Sequence, residues 1–277
     1  MTIEDSPLFC STELARRIEC AERQLIDAAT EAARLRSGAA SFVLPVAGGA
    51  ACFAEAGSPM NKVVGLGFGG VPDDEALSEI EQAYTTRETP VQVELANLGE
   101  PAVASAFTRR GYQLVSYENV LGRSLSGDPQ PVAPPGVEVR ACDDLSAWLD
   151  VVVEGFAHPD DQGVVSHEDF PREIVERAER DMEKAGATPY LAYCDGEVAG
   201  GAGMRVADGV AQLTGAATAP AYRRRGVQTA LLSARLSDAA GAGCDIAVVT
   251  TQPGSKSQQN VQRRGFHLLY TRAILVK

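Results

Sequence analysis

A chain that carries one segment twice has to build the same element twice and fit both copies into one molecule, and this 277-residue sequence does so. The run FTRRGYQLVSYENVLGR, Phe107 to Arg123, aligns with VQRRGFHLLYTRAILVK, Val261 to Lys277, so that Gly265 lies 154 positions after Gly111. The same offset, carried upstream without gaps, pairs the strand-like Pro90 to Leu95 with Cys244 to Val249. It also pairs a helix near Glu75 to Ala83 with one near Thr229 to Ser237. Agreement of strand with strand and helix with helix in one register reads as a duplication. Between the copies, Ser126 to Gly136 reads SGDPQPVAPPG, whose prolines cannot sustain a helix or a central strand. The expected organisation is therefore a first half over 1–125, a linker over 126–136 and a second half over 137–277.

Composition excludes several classes of function. With 45% hydrophobic and 22% charged residues the chain is ordinary globular material, and its net charge of −12 argues against nucleic acid or an anionic membrane as partner. Cysteines at 10, 20, 52, 142, 194 and 244 show neither close pairing nor metal-ligand spacing, so they read as reduced core thiols with no metal site. No basic segment leads into a long apolar run, and no apolar stretch approaches the length of a membrane span. A cytoplasmic protein is expected.

Chemistry concentrates in the second half. Val210 to Thr218 reads as a buried strand, and Val227, Ala230, Leu231 and Ala234 follow the spacing of a helix face. Between them stand Arg223, Arg224, Arg225 and Gly226. A helix start has unpaired N–H groups and a positive dipole end, so it attracts anions and disfavours basic residues. Three arginines there point to bound phosphate; the alternative is a solvated basic turn. Around this centre the pattern predicts a strand over 137–141, helices over 145–156 and 170–184, and strands over 190–194 and 198–206. The turn pairs Asp195-Gly196 and Asp208-Gly209 join them as hairpins. After the arginine-led helix, ending near Gly241 to Gly243, come a strand over 245–251, a helix over 256–264 and a last strand to Val276.

From about residue 137 onward this order resembles the GNAT acetyltransferase superfamily. The family motif Arg/Gln-x-x-Gly-x-Gly/Ala matches Arg223-Arg224-Arg225-Gly226-Val227-Gln228, with Gln228 where the family has Gly or Ala, and Gly265-Phe266 after a short helix is also typical. The resemblance implies an α/β (α+β) fold: two tandem GNAT-like domains, each a mixed, mostly antiparallel sheet flanked by helices. It implies acetyl-CoA, or a related acyl-CoA, as co-substrate and direct transfer to an amine of a small molecule or peptide. The N–H groups of Val227, Gln228 and Thr229, with the arginines, would hold the pyrophosphate. Ala217, Thr218 and Ala219 would meet the pantetheine arm. Ser257 and Asn260 match positions that reach the cofactor in relatives, with helix capping as the alternative.

Two departures bear on catalysis. The family's usual tyrosine acid, four residues before the Gly of Gly-Phe, is Val261 here, and the strand that often carries a glutamate base reads AQLTGA. The nearest catalytic candidates are Glu154 and His158, each with a surface or capping alternative, while Asp160 and Asp161 read as a solvated turn and Tyr222 and Tyr270 as packing residues. Three readings stay open: an enzyme, an acyl-CoA sensor or regulatory module, and a scaffold whose arginines grip an acidic partner.

In the first half, Gly69, Gly70 and Val71 occupy the places of the three arginines, and Asp73, Asp74 and Glu75 follow. Acidic residues repel a pyrophosphate from a helix start, so this half is expected to bind no cofactor. Gly65 to Gly70, GLGFGG, formally satisfies a dinucleotide fingerprint, but Pro72 and the two aspartates argue against one. Because two halves can satisfy each other's packing, a monomer is expected rather than a homodimer.

Overall fold

The computed structural model describes residues 8–38, 41–126, 132, 134–142, 144–158, 164 and 170–277. Before the linker lie α1 (Thr12–Ser37), β1 (Phe42–Val46), β2 (Gly49–Phe53), β3 (Lys62–Leu66), α2 (Asp74–Thr85), β4 (Gln92–Ala96), α3 (Pro101–Arg109) and β5 (Gln113–Ser124). After it come β6 (Val137–Ala141), α4 (Leu145–Ala157), α5 (Arg172–Lys184), β7 (Thr188–Cys194), β8 (Glu197–Ala207), β9 (Val210–Thr218) and a 3-10 turn (Pro220–Tyr222). The chain ends with α6 (Val227–Gly241), β10 (Ile246–Thr251), α7 (Lys256–Gln262) and β11 (His267–Val276).

Local chemistry sets the boundaries. At the two hairpins Asp195 and Gly196 take φ of 53° and 88°, and Asp208 and Gly209 take 49° and 76°, the paired positive values that match strand twist. The helix expected from Phe170 begins at Arg172 because Pro171 keeps extended angles and restricts the residue before it. Sequence reading assigned no element to 12–37, where α1 runs from a Ser11 cap to a left-handed Gly38.

The eleven strands of the described residues join in one sheet, ordered β1-β2-β3-β4-β11-β5-β10-β9-β8-β7-β6. It is mixed and mostly antiparallel, as expected; only β3·β4 and β9·β10 are parallel. The two sheets of the tandem arrangement are fused, because the halves exchange their last strands. β11 pairs with β4 of the first half and β5 with β10 of the second, and the two exchanged strands pair with each other.

Each travelling strand takes its core residues along. Leu121 of β5 packs with Leu231, Val261 and Phe266 of the second half, and Leu275 of β11 packs with Leu95, Phe107 and Tyr112 of the first. In the β5·β11 ladder Arg272 faces Glu118, its own equivalent 154 positions earlier. A pseudo-two-fold axis therefore passes between them. On either side, the Thr271–Asn119 and Ala273–Tyr117 pairs exchange under the same offset.

Over this junction lies α1, whose Ala15, Ile18 and Ala21 pack on Ala96, Val120, Val210, Ile246, Val248 and Tyr270. Beneath it Arg272 is buried between Glu19 at 2.8 Å, Glu94 at 3.4 Å and Glu118 at 3.8 Å. Tyr270, expected to pack, is buried and also donates to Glu19 at 2.7 Å. Lys62 pairs with the second oxygen of Glu94.

Candidate active site

The sheet opens at one place in the second half. β9 and β10 are paired only from Val210–Ile246 to Gln212–Val248, after which β9 continues to Thr218 and β10 to Thr251 without bonding each other. Thr218 Oγ1 and Thr251 Oγ1, at the ends of these diverging strands, are buried hydroxyls with no hydrogen-bond partner among the described residues. Buried polar atoms are rarely left unsatisfied, so a polar ligand arm laid in the wedge fits this pair. In the first half β3 and β4 stay together to the last residue of β3, through Val63–Val93 and Leu66–Leu95, and no wedge forms.

A bulge shapes the other edge of β9. Gly201 pairs with Ala217 but Gly203 with Thr214, so two residues of β9 oppose one of β8, and Gly215 takes a φ of 50°. The bulge is clamped by buried Arg235, which reaches the carbonyls of Gly203 at 2.9 Å, Leu231 at 3.1 Å and Thr214 at 3.4 Å. Burial pushes its guanidinium down to about 10. Of the three residues expected to meet a pantetheine arm, Ala219 donates its N–H to Ala199 at 3.0 Å, which leaves Ala217 and Thr218 nearer the wedge.

Beyond β9 lies the start of α6. Its N-cap is Gly226, at φ 87°, and no side chain caps it, so the N–H groups of Val227, Gln228 and Thr229 lack intrahelical acceptors. Arg223 donates to the carbonyl of His158, and Arg225 pairs with Asp195 while its guanidinium lies 5.8 Å from the centre of the Tyr222 ring. Arg224 is exposed, holds a φ of 64° and makes no hydrogen bond or ion pair among the described residues. Sequence reasoning missed Arg264, which donates to Thr229 Oγ1 at 2.9 Å, and Arg123 of the exchanged β5, which donates to the Arg264 carbonyl at 2.9 Å. Burial, and secondarily the Arg264 charge, lowers the pKa of Arg123.

The equivalent helix start in the first half is closed. Asp73 caps α2 by accepting from Ala76 N–H at 2.8 Å. Two glycines of GLGFGG allow close backbone approach: a Cβ on Gly69 would lie 2.5 Å from the Ala47 carbonyl oxygen, and one on Gly67 would lie 2.9 Å from Gly99 Cα.

The catalytic candidates come together near Arg223. α4 crosses β9 at Gly155, where a Cβ would lie 2.5 Å from that of Ala217. At its end His158 Nδ1 lies 3.0 Å from the Glu154 carbonyl and 3.3 Å from its carboxylate, with both side chains exposed. Asp160 and Asp161 fall outside the described residues. Ser257 is exposed and Asn260 half-buried, and the capping role considered for them falls to Ser255, which accepts from Gln258 N–H at 3.1 Å. Val261 is a core residue. An acid that sequence reasoning did not single out, Glu179 on α5, faces the bulge of β9. Among the described residues no group of three or more His, Cys, Asp or Glu is arranged to hold a metal ion, and no helix is long and apolar enough to cross a membrane.

Residues 154–266 match the model of the acetyltransferase (GNAT) family. No curated protein matches the chain. Among solved structures it is similar to a GCN5-related N-acetyltransferase from Kribbella flavida, with a TM-score of 0.68, 19% identity and 95% of each chain covered. It is also similar to a tandem GNAT protein from the clavulanic acid biosynthesis pathway, with a TM-score of 0.60, 14% identity and coverage of 98% of this chain and 97% of that one. At such identities the likeness is one of fold.

Proposed function

We propose that this chain, a GNAT-fold protein whose residues 154–266 match the acetyltransferase (GNAT) family, moves the acetyl group of acetyl-CoA, or of a related acyl-CoA, directly to an amine. The observation that carries the reading is the contrast between equivalent helix starts: α6 is uncapped, basic and beside an open wedge, whereas α2 is capped by Asp73 beside a closed pair of strands. In this reading the N–H groups of Val227, Gln228 and Thr229, with Arg223, Arg224 and Arg225, bind pyrophosphate. Each charge-assisted bond contributes about 1.5–3 kcal/mol. Ala217 and Thr218 border the pantetheine arm, and Ser257 and Asn260 lie on the neighbouring helix. We assign 137–277 to catalysis and 1–125 to a half without cofactor that supplies β5.

Acetyl-CoA brings an activated thioester whose thiolate, with a pKa of about 8.5, leaves without the tyrosine that Val261 replaces. The acceptor is the amine of a small molecule or peptide, and a net charge of −12 favours a cationic one. The free cysteines accord with a cytoplasmic setting. A second reading, an acyl-CoA sensor without turnover, draws on buried Val261 and on the exposed Glu154–His158 pair.

Calorimetric titration with acetyl-CoA tests the assignment. One site per chain is expected, with at least tenfold weaker binding for Arg225→Glu and an unchanged melting temperature. Two sites would reopen the first half, and no binding would move the arginines to another role.

A further inference from the structure

We propose that Glu179 is the general base that deprotonates the acceptor amine. The proposal rests on the acetyl-transfer reading above. Glu179 projects from α5 onto the bulge of β9: a Cβ built on Gly215 would lie 3.2 Å from its Oε2 and 3.3 Å from its Oε1. The glycine leaves that space open, and it does so two residues before Ala217, where β9 borders the wedge. Two strand residues span roughly 6–7 Å, so an amine presented at β9 between Gly215 and Ala217 would meet the carboxylate through one water.

Two neighbouring acids of α5 are committed elsewhere. Glu176 pairs with Arg172 at 2.7 Å and Asp181 with Arg36 at 2.7 Å. Glu179 has no hydrogen bond or ion pair among the described residues. It lines a narrow recess with Trp148 of α4, Pro189 of β7, Gly203 of β8, Thr214 of β9, and Glu183 and Ala187 from α5 and its end. Glu183 is the one other titratable group in that lining, and no cation faces Glu179 there. Removal from water pushes its carboxyl up to about 7, the range in which a carboxylate is both present and basic enough to take a proton near neutrality.

The proton count closes. An ammonium acceptor gives one proton to Glu179, and the freed nitrogen lone pair forms the C–N bond at the thioester carbonyl. The C–S bond then breaks with its electron pair going to sulfur, the second nitrogen proton goes to the CoA thiolate, and Glu179 returns its proton to solvent. Glu154 and His158, exposed at the end of α4, are left to the entry of the acceptor.

The test uses the full chain with Glu179→Gln and Glu179→Asp. Spermidine, kanamycin, glycinamide and an alanyl tripeptide serve as probe amines. For the wild type, kcat/KM on a turned-over amine should rise with pH through a midpoint near 7. Glu179→Gln should bind acetyl-CoA as tightly as the wild type, lose 10²- to 10⁴-fold in kcat and lose that rising limb, while Glu179→Asp keeps the limb at reduced kcat. Independently of turnover, carbon-13 NMR of carboxyl-labelled glutamate should show one resonance that titrates near 7, shifts when spermidine is added and is missing from Glu179→Gln. Wild-type kcat and pH profile in the Gln variant would overturn the assignment of Glu179 alone. A wild-type chain that binds acetyl-CoA yet acetylates none of these amines would overturn the enzyme reading and this base with it.

Discussion

Arg110 and Arg264 are equivalents 154 positions apart, and their surroundings separate the two halves at the residue scale. Arg110 is neutralised by Glu81 at 2.9 Å and Asp74 at 3.2 Å, and donates to Ser78 at 2.9 Å. Among the described residues the Arg264 guanidinium meets only the neutral hydroxyl of Thr229, so its charge remains available at the start of α6. On the pseudo-two-fold axis the acids Glu19, Glu94 and Glu118 outnumber the cations Arg272 and Lys62. Burial, and then the charge of Glu94, pushes Glu118 up to about 8. An unfolded glutamate releases its proton near 4.3, so between about pH 4 and 8 the folded chain binds more protons and stability falls as pH rises. Glu118→Gln, which cannot ionise, should therefore raise Tm at pH 8.5 and change it little at pH 5. An equal shift at both values would contradict this account. The arginine run was legible because basic residues at a helix start oppose the dipole. Glu179 was not, because an acid in the charged run REIVERAERDMEK carries no local sign of facing a bulge rather than solvent.

At the scale of elements, the wedge depends on a bulge, and the bulge on a clamp from the opposite face of the sheet. Among the described residues Arg235 has no carboxylate partner; it holds the carbonyls of Gly203 and Thr214, the pair at one end of the bulge, and the Leu231 carbonyl of its own helix. Arg235→Met would fill similar space and leave the Gly203 and Thr214 carbonyls unsatisfied, at a cost of about 1–3 kcal/mol. Thermal denaturation should show a lower Tm, and acetyl-CoA titration a weaker Kd, because the strand bordering the wedge loses its anchor. A variant with lower Tm but unchanged affinity would separate the clamp from the site. Helices and hairpins of the second half were readable since their signals, such as the positive-φ turn pairs and the 3.6-residue spacing on α6, lie within a few residues of one another. The bulge was not, because it depends on how Gly203 of β8 and Arg235 of α6 meet β9.

At the scale of the whole molecule, exchange of the last strands makes the halves inseparable. A fragment covering 126–277 lacks β5, so β10 and β11 lose their shared neighbour and Leu231, Val261 and Phe266 lose Leu121. It should be insoluble or fail to bind acetyl-CoA, as judged by size-exclusion chromatography and calorimetry; a soluble fragment with wild-type affinity would show that the second half closes on itself. The duplication, the order of strands and helices after the linker, the arginine-led helix start and the acidic, uninviting start of its counterpart were all set by the sequence alone. Each rests on periodicity, turn chemistry or charge within a short window. Only the tertiary structure decided that two sheets become one and that Glu179 lies on the β9 bulge. The duplicated strands are alike enough to serve either half, and the choice between slots is made by ladder bonds and core contacts between residues more than a hundred positions apart.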